Sequence, residues 1–136
     1  MKREKSCGII VFTRIGGVIK YVIIKSINGL YGFPKGHIEK DETEIQTALR
    51  EVSEEVGLSP IIIDGFKEIV EYYIPFIDVQ KEVVYFLGEY KDQNIVFQRE
   101  ELISAELMTF NEAIEVFTHE NNKELLKKAD YFIKNL

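Results

Sequence analysis

A single cysteine stands in the 136 residues. Cys7 has no partner within the chain, which excludes an internal disulfide and agrees with a reducing, cytoplasmic setting. Its expected role is that of a small buried hydrophobe. Long hydrophobic runs are also missing: none reaches the ~20 residues that a membrane span needs, so no membrane partner is expected. The N-terminus, MKREKSCGIIVF, is basic and then apolar. It is not read as a secretion signal, because the apolar part is short, has no small-residue cleavage site and is soon broken by Arg14. Positive charge is in deficit, with 17 Lys and Arg against 23 Asp and Glu and a net charge of −6. Non-specific nucleic-acid binding relies on basic surface, so no nucleic-acid partner is expected. A small anionic substrate is still admitted where a metal and a few lysines reverse the field locally. Repeats, low-complexity tracts and linkers are absent too, and the length suits one domain over residues 1–136. The sequence leaves monomer and homodimer equally open.

What is present alternates between strand and helix patterns. SCGIIVFT (6–13) and YVIIK (21–25) read as a hairpin around Gly16-Gly17. SINGLYGFPKG (26–36) is turn-rich and expected to be irregular. Residues 61–63 and 66–73 read as two strands broken at Asp64-Gly65, and 81–89 as another. Residues 92–101 are polar and irregular, and 107–110 form a short strand. Asn111 is expected to cap a helix through Phe117. Leu125, Leu126, Ala129, Phe132, Ile133 and Leu136 recur at helical spacing, which predicts a terminal helix on the sheet. Strands mixed with two or three helices give an α/β (α+β) layered domain.

The segment that organises the rest is GHIEKDETEIQTALREVSEEVGL, Gly36 to Leu58. Ile45, Ala48, Leu49, Val52 and Val56 share one helix face over about 43–57. Asp41 with Glu44 predicts a capping-box-like start, and Gly57 with Pro60 a stop. On the other face Glu51, Glu54 and Glu55 stand at i, i+3 and i+4. Like charges at that spacing cost ~0.2–0.5 kcal/mol per pair, and one arginine, Arg50, does not neutralise three carboxylates. A hard divalent cation with oxygen ligands would. The competing reading is a solvated acidic face, against which stand Gly36 before the helix and Gly57 after it.

The same residues resemble a known family. Gly36, Glu42, Arg50-Glu51-Val52, Glu54-Glu55 and Gly57-Leu58 fit all nine specified positions of the 23-residue Nudix box. The resemblance implies a mixed β-sheet sandwiched between helices, with a loop-helix-loop that holds Mg2+ (Mn2+ as the alternative ion) and cleaves a phosphoanhydride in a nucleotide. It implies Glu51, Glu54 and Glu55 as metal ligands and Arg50 as the group that orients Glu51. Glu42 is either a shaper of the loop or a charge favourable to the helix dipole. For the general base the candidates are Glu54 and, from the polar loop, Glu100 or Glu101.

FPKGH (33–37) resembles the asymmetric diadenosine tetraphosphate hydrolases within that family. So do Cys7-Gly8, Gly65-Phe66-Lys67, a tyrosine at 72 or 73, Lys81 and Tyr85. This implies cleavage to ATP and AMP, with Tyr72 or Tyr73 and Tyr85 around an adenine and with Lys81 and Lys35 holding phosphates; the adjoining His37 is a further substrate-binding candidate, with a plain turn role for Lys35 and His37 as the alternative. Stacking on a base is worth ~1–3 kcal/mol, and lysine is a good point-charge partner for phosphate. Two departures concern the nucleotide contacts. The chain between Tyr72 and Lys81 is longer than expected, and Glu106 stands where an aromatic residue often does. The alternatives are another Nudix substrate (an oxidised nucleoside triphosphate, ADP-ribose or a 5′-triphosphate RNA end) and a nucleotide sensor without turnover. Since alternate residues of a strand face opposite ways, at most one of Tyr72 and Tyr73 points into a site. His119 reads as exposed loop.

Overall fold

The computed structural model describes residues 1–136. The chain runs β1 (Lys2–Ile15), β2 (Val18–Ser26), β3 (Tyr31–Gly32), β4 (Lys35–His37), α1 (Glu44–Val56), β5 (Ile61–Ile74), a 3-10 turn (Pro75–Ile77), β6 (Val79–Glu89), β7 (Leu102–Met108), α2 (Phe110–Val116) and α3 (Glu120–Lys134). One mixed sheet carries the strands in the order β3-β2-β1-β6-β5, with β4 also on β1 and β7 also on β2. The central pair, β1 and β6, is parallel; the other pairings are antiparallel.

The β1–β2 turn falls at Gly16-Gly17, both at positive φ, as a two-residue hairpin turn requires. Along β1 the side chains alternate between two cores. Cys7, Ile9 and Val11 pack with Ala48, Val52 and Val56 of α1, whereas Ile10 and Phe12 pack with Leu125, Leu126, Ala129 and Ile133 of α3. The sheet is thus covered by α1 on one face and by α2 and α3 on the other, as expected. The Cys7 thiol is fully buried, and burial pushes it up to about 11. A buried bond links the second core to the sheet: the Tyr21 hydroxyl donates to Asp130 at 2.7 Å.

Several local expectations are corrected. The capping box of α1 is Thr43 with Gln46, not Asp41 with Glu44. Asp41 has φ of 69° in the turn before it, and Glu44 instead meets Lys5 and Lys67. Thr109 with Glu112 caps α2, ahead of the expected start at Asn111. In both cases two acceptable caps lay close together in sequence. Ile45 is 40% exposed, outside the buried stripe of α1. The stretch read as irregular includes β4, which local propensity cannot reveal because β1 supplies its partners. The two strands expected around Asp64-Gly65 are one, β5, with a register shift between Ile62 and Lys67 where Gly65 takes φ of 96°. The short strand expected at 107–110 is β7, which begins earlier.

Candidate functional site

Two close approaches fix the loop before α1. A Cβ at Gly8 would lie 2.4 Å from the Pro34 carbonyl, so β1 and β4 come together only because that position has no side chain. A Cβ at Gly36 would lie 2.1 Å from Cδ of Glu51. The Glu51 carboxylate therefore occupies the space that a side chain at residue 36 would fill.

Arg50 ties the acidic residues into one network. Its guanidinium grips Glu42 through two bonds, at 2.6 and 3.0 Å. It donates to Glu51 at 2.9 Å, to Glu54 at 3.2 Å and to the His37 carbonyl at 3.0 Å. Thr47 and the Glu39 amide also donate to Glu42. With Arg50 as the main cause, the Glu42 carboxyl is held down to about 2. The planar guanidinium fork serves several acceptors at once, which a lysine does not.

Glu55 lies deeper, 5% exposed, and accepts one bond, from the Lys35 amide at 3.2 Å. Burial pushes its carboxyl up to about 8; the Lys35 amide opposes this and the Glu51 charge adds to it. Glu51 is also raised by burial, against the pull of Arg50. The Lys35 ammonium is lowered, first by burial and then by Lys81.

No group of three or more acidic, His or Cys side chains converges on one point, because Glu51 and Glu54 turn toward Arg50. The donor set nevertheless fits a hard divalent cation. It offers carboxylate oxygens only, and the deepest of them, Glu55, is a group whose ionised form the protein leaves poorly compensated. A bound cation would offset that burial and favour the ionised form.

Glu55 is also part of a cleft of about 620 Å³, which Lys35, Tyr72, Tyr85 and Glu101 line as well. Tyr85 is only 4% exposed and stacks edge-on against Phe33 at 5.8 Å, so its ring belongs mainly to the core. Tyr72 is more open at 38%. The other expected residues lie outside the lining. Tyr73 donates to Asp78 at 2.6 Å. Lys81, across from Tyr72 in the β5–β6 register, faces Glu4 at 3.9 Å. The His37 side chain is exposed, and Glu100 sits in a turn, where its neighbour Glu101 is the one that reaches the cleft.

A further part of the lining was not foreseen. Tyr31, His119, Asn121 and Asn122 form it, and Asn122 donates to the Tyr31 carbonyl at 3.3 Å. His119 is exposed, as expected, but it also lines the cleft. The start of α3 comes to Tyr31 from a distant part of the chain, a proximity without a local signal. An aromatic residue in a turn-rich stretch, Tyr31, was the available hint.

Comparisons with known proteins bear on the fold and the family. A family model described as NUDIX domain matches residues 3–130. The bis(5′-nucleosyl)-tetraphosphatase [asymmetrical] of Sus scrofa is 30% identical over 141 aligned positions, covering 95% of each chain. A crystal structure of a C. elegans Ap4A hydrolase binary complex superposes with a TM-score of 0.90 at 22% identity, covering 98% of this chain and 99% of that one. The NUDIX domain of Shewanella oneidensis NrtR, crystallised with ADP ribose, has a TM-score of 0.79 at 17% identity, covering 98% and 90%. With the family match running over nearly its whole length, the chain belongs to the Nudix family.

Proposed function

We propose that this protein hydrolyses diadenosine tetraphosphate to ATP and AMP, using Mg2+ with Mn2+ as a substitute. The observation that carries the reading is the coupling of an α1 carboxylate to an aromatic cleft: Glu55 and Lys35 at one part of it, the open ring of Tyr72 at another. The likeness to a tetraphosphatase over 95% of both chains supports the choice of substrate. Water adds to a phosphorus, one P–O–P bridge breaks, and the bridging oxygen leaves with the departing phosphate.

Glu51, Glu54 and Glu55 would hold the cation, which neutralises phosphate charge and activates water. Arg50 is a positioning residue that orients Glu51 and Glu54. Lys35 and Lys81 serve the polyphosphate, with His37 at the rim. Tyr72 stacks on an adenine; Tyr85 supports the cleft wall from the core, and Tyr73 steadies the hairpin end through Asp78. The base is Glu54 or Glu101, and Glu100 serves only through its neighbour. Gln variants of Glu54 and Glu101 decide: loss of the base lowers kcat by ~10²–10⁴-fold and removes the acidic limb of its pH profile. The buried free thiol of Cys7 supports a cytoplasmic location, and one domain over residues 1–136 carries all of this.

The test is a substrate panel with Mg2+: diadenosine tetraphosphate, an oxidised nucleoside triphosphate, ADP-ribose and a 5′-triphosphate RNA. The dinucleotide is expected among the best substrates, with ATP and AMP formed in equal amounts. A strong preference for any of the others overturns the assignment.

A further inference from the structure

We infer that the free edge of β5 is a self-complementary interface that joins two copies of this chain into one continuous sheet. β5 ends the strand order and pairs only with β6, so the backbone groups on its outer side have no strand partner. Natural sheets usually blunt such an edge with charge, proline or a short strand. Here the edge strand is 14 residues long. Exposed apolar side chains also gather on it and on the turn that follows: of the sixteen large hydrophobics exposed in the whole chain, four (Ile61, Ile69, Tyr72 and Tyr73) lie on β5 and two (Phe76 and Ile77) on the 3-10 turn after it.

The sequence of the edge selects both the occupant and the register. Two copies pairing antiparallel about a two-fold axis normal to the sheet keep the same face on the same side, so the axis must pass midway between one residue and its own copy. Centring it on Ile69 sets Ile69 against its own copy, and Lys67 against Glu71 twice over. Neighbouring centres do worse. An axis at Glu68 puts two glutamates face to face and one at Glu71 does the same; one at Val70 sets Ile69 against Glu71 with no opposite-charge pair, whereas the Ile69 centre, which sets Glu68 against Val70, has the two Lys67–Glu71 pairs to offset it. Opposite charges across a strand pair stabilise it and like charges destabilise it, so one register is favoured.

Lys67 and Glu71 lie on the face that α1 covers, as alternation requires, and Lys67 is already held there by Glu44 at 2.9 Å. Lys67 alone would serve to keep the edge apart; Glu71, four residues on and exposed, supplies its complement. The same register carries the Phe76-Ile77 tip toward the end of the partner's strand that begins at Ile61. Phe76 is 88% exposed and Ile61 73%.

Sedimentation velocity over a concentration series from about 1 to 300 μM tests this. The unmodified chain is expected to pass from monomer to dimer within the series. Ile69→Lys, which places two ammonium groups at the axis, should leave it monomeric throughout. Glu71→Lys should weaken association about tenfold or more, and Lys67→Glu with Glu71→Lys together should restore it. Circular dichroism melts of each variant show whether the fold is kept; where Ile69→Lys does not fold, the Glu71→Lys and double-swap pair decides alone. A chain that stays monomeric at every concentration overturns the inference. So does a dimer indifferent to Glu71→Lys, or one that the double swap fails to restore.

Discussion

Gly36 and Gly8 face each other across the β1–β4 ladder, one residue out of register, and alanine at each should do opposite things. At Gly36 the new Cβ meets Cδ of Glu51 at 2.1 Å and its two carboxylate oxygens at 2.2 and 2.4 Å. Ordinary contact begins near 3.4 Å, so the carboxylate must retreat by more than 1 Å. It is the far end of a flexible side chain, and the backbone at Gly36 is not left-handed, so the fold can absorb the move. An alanine in a strand recovers roughly 0.5–1 kcal/mol of the flexibility cost of glycine, which offsets lost bonding to Arg50. Gly36→Ala should therefore shift Tm by no more than about 5 °C. Its kcat on diadenosine tetraphosphate should fall by about 10²-fold, since an ångström of misplacement at a reacting centre costs that much. At Gly8 the new Cβ meets backbone, the Pro34 carbonyl at 2.4 Å, together with the Lys35 Cβ at 2.7 Å. Neither can step aside alone, so Gly8→Ala should cost about 1–3 kcal/mol in stability. Melting curves and initial rates on both variants decide. A Gly36→Ala protein that turns over at the unmodified rate, or one that fails to fold, refutes the claim that the glycine exists to seat the Glu51 carboxylate.

Other consequences follow from the same geometry. With divalent ions removed, the Glu55 carboxyl at about 8, against an ordinary 4.5, makes a contribution to stability that is present in full below pH 4.5 and is lost as pH rises through 8. Glu55→Gln should flatten that slope in a pH series of melts, and a divalent cation should raise Tm more at pH 8 than at pH 5. Glu42 has the opposite sign. Its carboxyl, held down to about 2, adds stability in full above pH 4.5 that is lost as pH falls toward 2, and Glu42→Gln should remove this acid-sensitive part. Tyr21→Phe deletes a buried bond to a charged acceptor, and denaturant unfolding should show a loss of about 1.5–3 kcal/mol. Tyr72→Ala should raise KM between about five- and a hundredfold with kcat less affected, the range expected for one stacked base.

Sequence reading reached the layers and the acidic helix face because both are periodic: alternation along β1 and three- and four-residue spacing along α1 are local signals. The two helix caps were displaced because Asp41 and Asn111 are as good on paper as Thr43 and Thr109, and only the direction of chain entry separates them. The cleft was legible on the β5 side, where Tyr72 sits opposite a lysine, and not on the α3 side, where Asn122 meets Tyr31 only after folding. Spacing on a helix likewise says nothing about how deep each carboxylate lies. Glu55 is buried and Glu54 is half exposed, a difference set by the β4 backbone crossing above Glu55.

The central claim is that the α1 carboxylates serve a divalent ion that acts on a polyphosphate. Hydrolysis of diadenosine tetraphosphate by the unmodified chain and by Glu55→Gln, each with Mg2+ and again with a chelator, tests it most directly. The expected result is equimolar ATP and AMP from the unmodified chain with Mg2+, none with the chelator, and a rate reduced by about 10²-fold or more in a Glu55→Gln protein that melts normally. Undiminished turnover in the chelator, or in Glu55→Gln, would contradict it.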